Sequence, residues 1–280
     1  MNTKQLVVTG ILTISTLALS FTGCRKDKDE LDSETGTSID NAFAEAVFDD
    51  AATMADQAAL NGELNSFKSS SDEGMLLSSC ATITRDTLAI PRVITIDFGT
   101  KNCLCNDGRY RRGKIIVTYN GGYRDVGSVH NIGFDNYFVN NYKVNGTKTV
   151  TNQGLNASGH TWFSIGVYGS LTSSTGQTMS RLSTRIREWI SGESTPTWSD
   201  DVYLITGTAS GTTFNGNTYV AAITVPLEIA LNCRWIKNGV LELTPTGKQT
   251  RSVNYGYSNG ACDRYAELTI GTHTHIVELR

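Results

Sequence analysis

From Ser38 to Leu60 the apolar residues Ile39, Phe43, Val47, Met54 and Ala58 recur four or seven residues apart, with Asp and Glu between them. Side chains at those spacings share one face of a helix, so the pattern predicts one amphipathic helix over 38–60. Ser38 or Asp40 is the expected N-cap, and Gly62 after Asn61 the expected stop. The polar run Lys68-Ser69-Ser70-Ser71-Asp72-Glu73-Gly74 then reads as a linker. A helix of this kind either packs on the body that follows or serves as a spacer.

After Cys80 the period changes. Short β-branched and aromatic runs are broken by Asp107-Gly108, Asn120-Gly121, Asn145-Gly146, Asn215-Gly216, Asn238-Gly239 and Asn259-Gly260. Asn and Gly tolerate the positive φ that tight hairpin turns demand, so each pair is a candidate turn. Between them lie expected strands near 92–98, 114–119, 129–137, 138–144, 147–151, 161–171, 179–190, 202–208, 218–229, 240–243, 251–255, 264–270 and 273–279. No helical pattern separates these runs, which argues against a parallel α/β sheet. Sequential antiparallel pairing is the economical topology for so many consecutive strands. The expected fold class is therefore all-β with one N-terminal helix: a long antiparallel meander forming a sandwich or a curved or closed barrel-like sheet. No fixed period marks a propeller or solenoid.

Composition supports this and narrows the partners. Gly is plentiful at 27 and Pro scarce at 4, which suits strands joined by tight turns. A net charge of -3 lacks the concentrated basic face that a nucleic-acid partner requires.

The amino terminus sets the expected address. Lys4 precedes an apolar stretch from Leu6, which ends in Leu19-Ser20-Phe21-Thr22-Gly23-Cys24. A basic start, a short apolar segment and small residues before Cys read as a secretory signal cleaved ahead of a lipidated thiol. Thr22, Gly23 and Cys24 resemble the lipobox of bacterial lipoproteins, with Phe21 where that motif has Leu. The following Arg25-Lys26-Asp27-Lys28-Asp29-Glu30 resembles the export signal of Bacteroidota surface lipoproteins; as an ordinary charged segment it would be a solvated tether. The segments Ile96-Asp97-Phe98-Gly99, Asp107-Gly108-Arg109, Arg112-Gly113-Lys114-Ile115-Ile116 and Gly260-Ala261-Cys262-Asp263 are similar to uncharacterised lipoproteins of the same phylum. Asp86-Thr87-Leu88 resembles the short O-glycosylation acceptor used there. These resemblances imply an outer-membrane, lipid-anchored protein facing the cell surface, and no activity. The expected organisation is a signal peptide at 1–23, a charged tether at 24–37, helix and linker at 38–79, and a β domain at 80–280.

Lipidation of Cys24 leaves Cys80, Cys103, Cys105, Cys233 and Cys262 in an oxidising compartment. The expected bridges are Cys233 to Cys262, and Cys80 to either Cys103 or Cys105, with the other of that pair a free thiol. A one-residue spacer is too short for the usual cysteine zinc motif.

Candidate chemistry is sparse. By strand parity Arg181, Arg185, Arg187 and Trp189 share one face, and Leu182, Ile186 and Ile190 the other. With the leucine and isoleucines in the core, the arginines and tryptophan form an exposed stripe that either suits an acidic glycan or, on a solvated strand, meets acidic partners across the sheet; Leu182, Ile186 and Trp189 also keep helical spacing, so a short helix is the other reading. Arg109, Arg111 and Arg112 form a second basic cluster, expected to close a hairpin because phosphate-loop glycine spacing is absent. His273 and His275 share a strand face but lack a third ligand, so they name no metal site. No Gly-x-Ser-x-Gly elbow occurs. The sequence thus points to no cofactor and no catalytic residue. The leading expectation is a non-enzymatic anchored lipoprotein that binds a glycan or envelope protein or serves envelope architecture. The alternatives are a surface hydrolase acting on glycans or peptides, and a carrier of an apolar ligand within a curved sheet.

Overall fold

A computed structural model describes residues 32–60, 81–195, 197 and 199–279. Cys24, the charged run after it, Gly62, the polar linker and Cys80 lie outside the described residues. Asp32–Arg280 forms one compact unit.

The helix α1 spans Gly36–Leu60. It begins two residues before Ser38 because Glu34 supplies the cap. The Glu34 carboxylate accepts the Thr37 backbone N–H at 2.7 Å and the Thr37 hydroxyl at 2.8 Å, while the Thr35 carbonyl accepts the Ser38 and Ile39 N–H groups. These bonds satisfy donors that a helix start otherwise leaves orphaned. Ser38 and Asp40 consequently sit inside the helix, and neither is its N-cap.

The strands are β1 (Thr82–Asp86), β2 (Arg92–Asp97), β3 (Cys103–Leu104), β4 (Tyr110–Tyr119), β5 (Val129–Val139), β6 (Tyr142–Leu155), β7 (Thr161–Thr172), β8 (Thr178–Ser191), β9 (Val202–Thr212), β10 (Thr218–Ala230), β11 (Asn238–Pro245), β12 (Arg251–Asn254), β13 (Tyr265–Ile270) and β14 (His273–Glu278). All fourteen belong to one antiparallel sheet in chain order, except that β3 pairs only with β4. The ends, β1 and β14, do not pair, so the meander is not closed into a barrel.

Two of the expected turns fall inside strands. Asn145-Gly146 lies within β6, where Gly146 adopts φ 114° against the Tyr168 carbonyl of β7, a contact that leaves no room for a Cβ. The connection from β5 to β6 is made instead by Asn140 and Asn141, both at positive φ (47° and 66°). Residues 138–151, expected as two strands, therefore divide between the end of β5 and most of β6. Asn238-Gly239 likewise begins β11 rather than turning the chain. Glycine serves at both places for close strand approach, a use that the dipeptide alone does not distinguish from a turn.

One sheet encloses one helix. From Thr37 to Ala59 no residue of α1 is exposed, and the half-buried positions Ile39, Ala46, Asp49, Thr53, Asp56 and Ala59 recur at helical spacing along one narrow stripe. Partners of the helix and the four residues before it come from β1 (Arg85), β4 (Arg111), β6 (Lys148), β8 (Arg181) and β12 (Arg251). Reaching all of these from one helix requires the sheet to roll around it. Gly169 of β7 permits the tightest approach, since any side chain there would run into the Phe48 ring.

Asp50 of α1 faces the sheet and not water. Asp50 binds Arg109 at 2.9 Å and Arg111 at 2.7 Å, and Arg111 also bonds Asp107 at 2.6 and 2.7 Å. Arg111 is fully buried. Although burial raises the Asp107 pKa, its bonds to Arg111 outweigh that and hold it below the ordinary carboxylate value. Arg109 and Arg111 thus lock the helix to the sheet instead of closing a solvated hairpin. Arg112 alone of that cluster turns outward, stacked 3.7 Å from the Phe138 ring centroid.

Cys233 and Cys262 form a disulfide with a Cα separation of 5.7 Å. Cys103 is disulfide-bonded and Cys105 is a buried free thiol, which resolves the choice between them.

Candidate functional site

Strand β8 carries the central side chains, with a face assignment opposite to the exposed stripe. Leu182 and Ile186 are 55% and 45% exposed, whereas Arg181 and Arg185 are 3% and 4% exposed. The inward face of β8 meets α1, and the acids of the helix make arginine the stable choice there. Arg181 donates to Asn41 at 2.6 Å and lies 3.1 Å from Glu45. Arg185 donates through Nε to Glu45 Oε1 at 3.1 Å. An extended glycan cannot lie along this face while the helix occupies it.

Arg181, Arg185 and Arg187 converge on a cavity of about 60 Å³ between α1 and strands β6 to β10. Its other polar walls are Glu45, Asp49, Thr53, Lys148, Ser183 and Tyr203. Trp189, expected to share their role, stands apart: its indole N–H donates to Asp201 at 3.3 Å and Arg124 covers its ring. Asp49, Thr53, Arg187, Ile229 and Leu231 are only half-buried, so the cavity reaches solvent beside the open stripe of α1.

The wall is cationic. Lys148 is tied to Asp49 at 2.6 Å and to the Phe48 carbonyl at 3.3 Å. Burial pushes the Glu45 carboxyl up, but Arg185 and Arg181 outweigh it and keep Glu45 ionised below its ordinary range. Four cations therefore face two paired carboxylates. Asp56, further along the stripe, is pushed up to about 6 by burial against the pull of Arg187 and Lys148.

Several donors around this cavity are unmatched. Arg185 Nη1 and Nη2 make no hydrogen bond, although Nη2 lies 3.0 Å from Glu45 Oε1 in poor geometry. Arg187 Nε and Nη2 are also buried without partners, and so is Glu45 Oε2. The Arg187 guanidinium rests instead on aromatic faces, 4.8 Å from the centroids of Phe163 and Tyr203 and 5.5 Å from that of Tyr123. Unmatched buried polar atoms each cost about 1–3 kcal/mol, so their concentration at one cavity calls for an occupant.

The remaining sequence candidates do not join this site. His273 is exposed and His275 half-buried on β14. Among the described residues no group of three or more His, Cys, Asp or Glu can hold a metal ion. Thr87 lies exposed in the bend after β1. The trough is filled by α1, so an apolar ligand would have to displace the helix. Glu45 and Asp56, whose pKa values move in opposite directions, are eleven helical residues and roughly 16 Å apart, beyond the separation glycoside hydrolysis uses.

Sequence reasoning missed Lys148, Glu45 and Asp49. The available signal was the i, i+4 pair Glu45 and Asp49 on the helix facing a strand with alternate arginines. No protein-family model, curated protein or solved structure matches the chain.

Proposed function

We propose that the protein is a lipid-anchored envelope lipoprotein, held at Cys24 and facing the cell surface, whose rolled sheet is a binding module for a small acidic ligand. The observation that carries the binding role is the set of buried, unmatched N–H donors on Arg185 and on the half-buried Arg187 at one solvent-connected cavity. Arginine forks recognise carboxylate and phosphate oxygens, and their strength rises where water is excluded. The anchor rests on the lipobox-like Thr22-Gly23-Cys24 and the charged run after it.

Two measurements test this reading. Metabolic labelling with a fatty-acid analogue should mark the wild-type chain and leave Cys24→Ala unlabelled and released from the membrane fraction; a labelled Cys24→Ala chain would refute the anchor. For binding, a calorimetric screen of small acidic compounds against the mature chain should find a saturable ligand that Arg187→Gln loses. No saturable ligand across carboxylates, phosphates and sulfates would refute the binding role.

A further inference from the structure

We infer that the cavity between α1 and β6 to β10 is a site for hydrogen phosphate as the free ion. The inference rests on the cavity being a binding site and goes further by assigning the ligand chemistry.

Size comes first. A water needs about 10–15 Å³ of such space, so about 60 Å³ offers roughly four to six water-sized positions. A tetrahedral oxyanion, with five heavy atoms, matches that space.

Charge selects an anion. Lys148, Arg181, Arg185 and Arg187 line the cavity against Glu45 and Asp49, and the carboxylates are already engaged by Arg181, Arg185 and Lys148. Among the described residues Arg187 has no carboxylate partner within ion-pair distance; it is held by aromatic faces, which fix its orientation without using its donors. With Arg185 Nη2 already beside Glu45 Oε1, the unmatched Nη1 of Arg185 and Nε and Nη2 of Arg187 together offer three N–H donor atoms.

The protonation state follows from one further atom. Glu45 Oε2 is buried, unmatched and on a residue lining the cavity. A carboxylate oxygen repels a fully deprotonated oxyanion and accepts a hydrogen bond from one that keeps a proton. Hydrogen phosphate keeps such a proton at neutral pH and sulfate does not. Donors for the oxygens and an acceptor for the hydroxyl therefore favour phosphate over sulfate.

Equilibrium dialysis of the mature chain against radiolabelled inorganic phosphate at pH 7.5 and fixed ionic strength tests this. One phosphate per chain is expected, with sulfate displacing it about tenfold or more less effectively, given the strength of charged hydrogen bonds. Arg187→Gln should weaken binding about tenfold or more while retaining the far-ultraviolet circular dichroism of the parent. Glu45→Gln replaces the repelling oxygen by an amide and should narrow the preference for phosphate over sulfate; should it fail to fold, Arg187→Gln still decides. Glycerol 3-phosphate, a phosphomonoester without a phosphate proton at pH 7.5, should displace poorly, and displacement as effective as by unlabelled phosphate would overturn the assignment of a protonated ligand. Equal displacement by sulfate, or unchanged binding in a folded Arg187→Gln chain, would overturn the inference. Absence of phosphate binding beside saturable binding of another acidic compound would overturn it and leave the binding role standing; absence of any ligand would overturn both.

Discussion

Glu45 shows how much one residue can hold in a charged interior. Its carboxylate bridges Arg181 and Arg185, with separations of 3.1 Å and 3.0 Å. Removing one partner of a buried ion pair leaves an uncompensated charge, at a cost of roughly 3–5 kcal/mol. Glu45→Ala is accordingly expected to lower unfolding free energy by about that amount in urea titrations, and a loss below about 1 kcal/mol would show that water replaces the carboxylate. Asp56 behaves in the opposite sense. Its folded pKa of about 6 lies above the ordinary 3.8, so the fold favours the protonated form. The stability it contributes is present below pH 4 and is lost as pH rises through 6. A shift of about two units corresponds to at most roughly 3 kcal/mol. Asp56→Asn should raise stability by roughly 1–3 kcal/mol at pH 7.5 and change little at pH 3.5. Equal effects at both pH values would refute this assignment.

At the scale of elements, β7 and α1 are fitted to each other through Gly169 and Phe48. The ring occupies the place of a side chain on β7 and also meets Phe134 edge-on at 5.9 Å. Gly169→Ala should cost roughly 1–3 kcal/mol from overpacking, and Phe48→Leu in the same chain should recover part of it, as thermal unfolding of the four variants would reveal. Additive losses would show that the two sites are uncoupled. The helix was legible from its apolar repeat because Phe43, Val47, Met54 and Ala58 do pack inward. Its acidic residues were not, since a carboxylate facing water and one facing an arginine from a strand 140 residues away leave the same local pattern. The strands were legible for the same reason as the helix, by period and turn chemistry. Their facing was not: Leu182 and Ile186 look like core residues until the acids opposite Arg181 and Arg185 are known. Asn-Asn at 140–141 turns the chain where Asn-Gly at 145–146 does not, because the choice depends on register with β7.

At the scale of the whole molecule, the open meander is tied at its carboxyl-terminal side by the Cys233–Cys262 bridge, which closes a 29-residue separation. In the chain-entropy account such a loop contributes roughly 3–4 kcal/mol. Replacing both cysteines by serine should lower the denaturation midpoint accordingly, and an unchanged midpoint would mean that the segment is ordered without the bridge. Fold class was readable from sequence at this scale because a succession of short β runs permits few topologies. That the sheet rolls around its own helix was not readable, since enclosure depends on pairings between residues far apart in the chain.

The capture of the first residues of the described chain by some of the last has a consequence for biogenesis. Asp32 and the Glu34 carbonyl are held by Arg251, more than two hundred positions later. A nascent chain emerging amino terminus first thus presents its helix long before the strand that completes the enclosure exists. The interior cannot be finished until β12 has arrived, so assembly must wait for nearly the whole polypeptide. Contacts of such separation slow folding. They also make completeness a condition of stability: a chain interrupted before residue 248 would lack both Lys248 and Arg251, the cations that face Asp32, and quality-control proteases would meet it open.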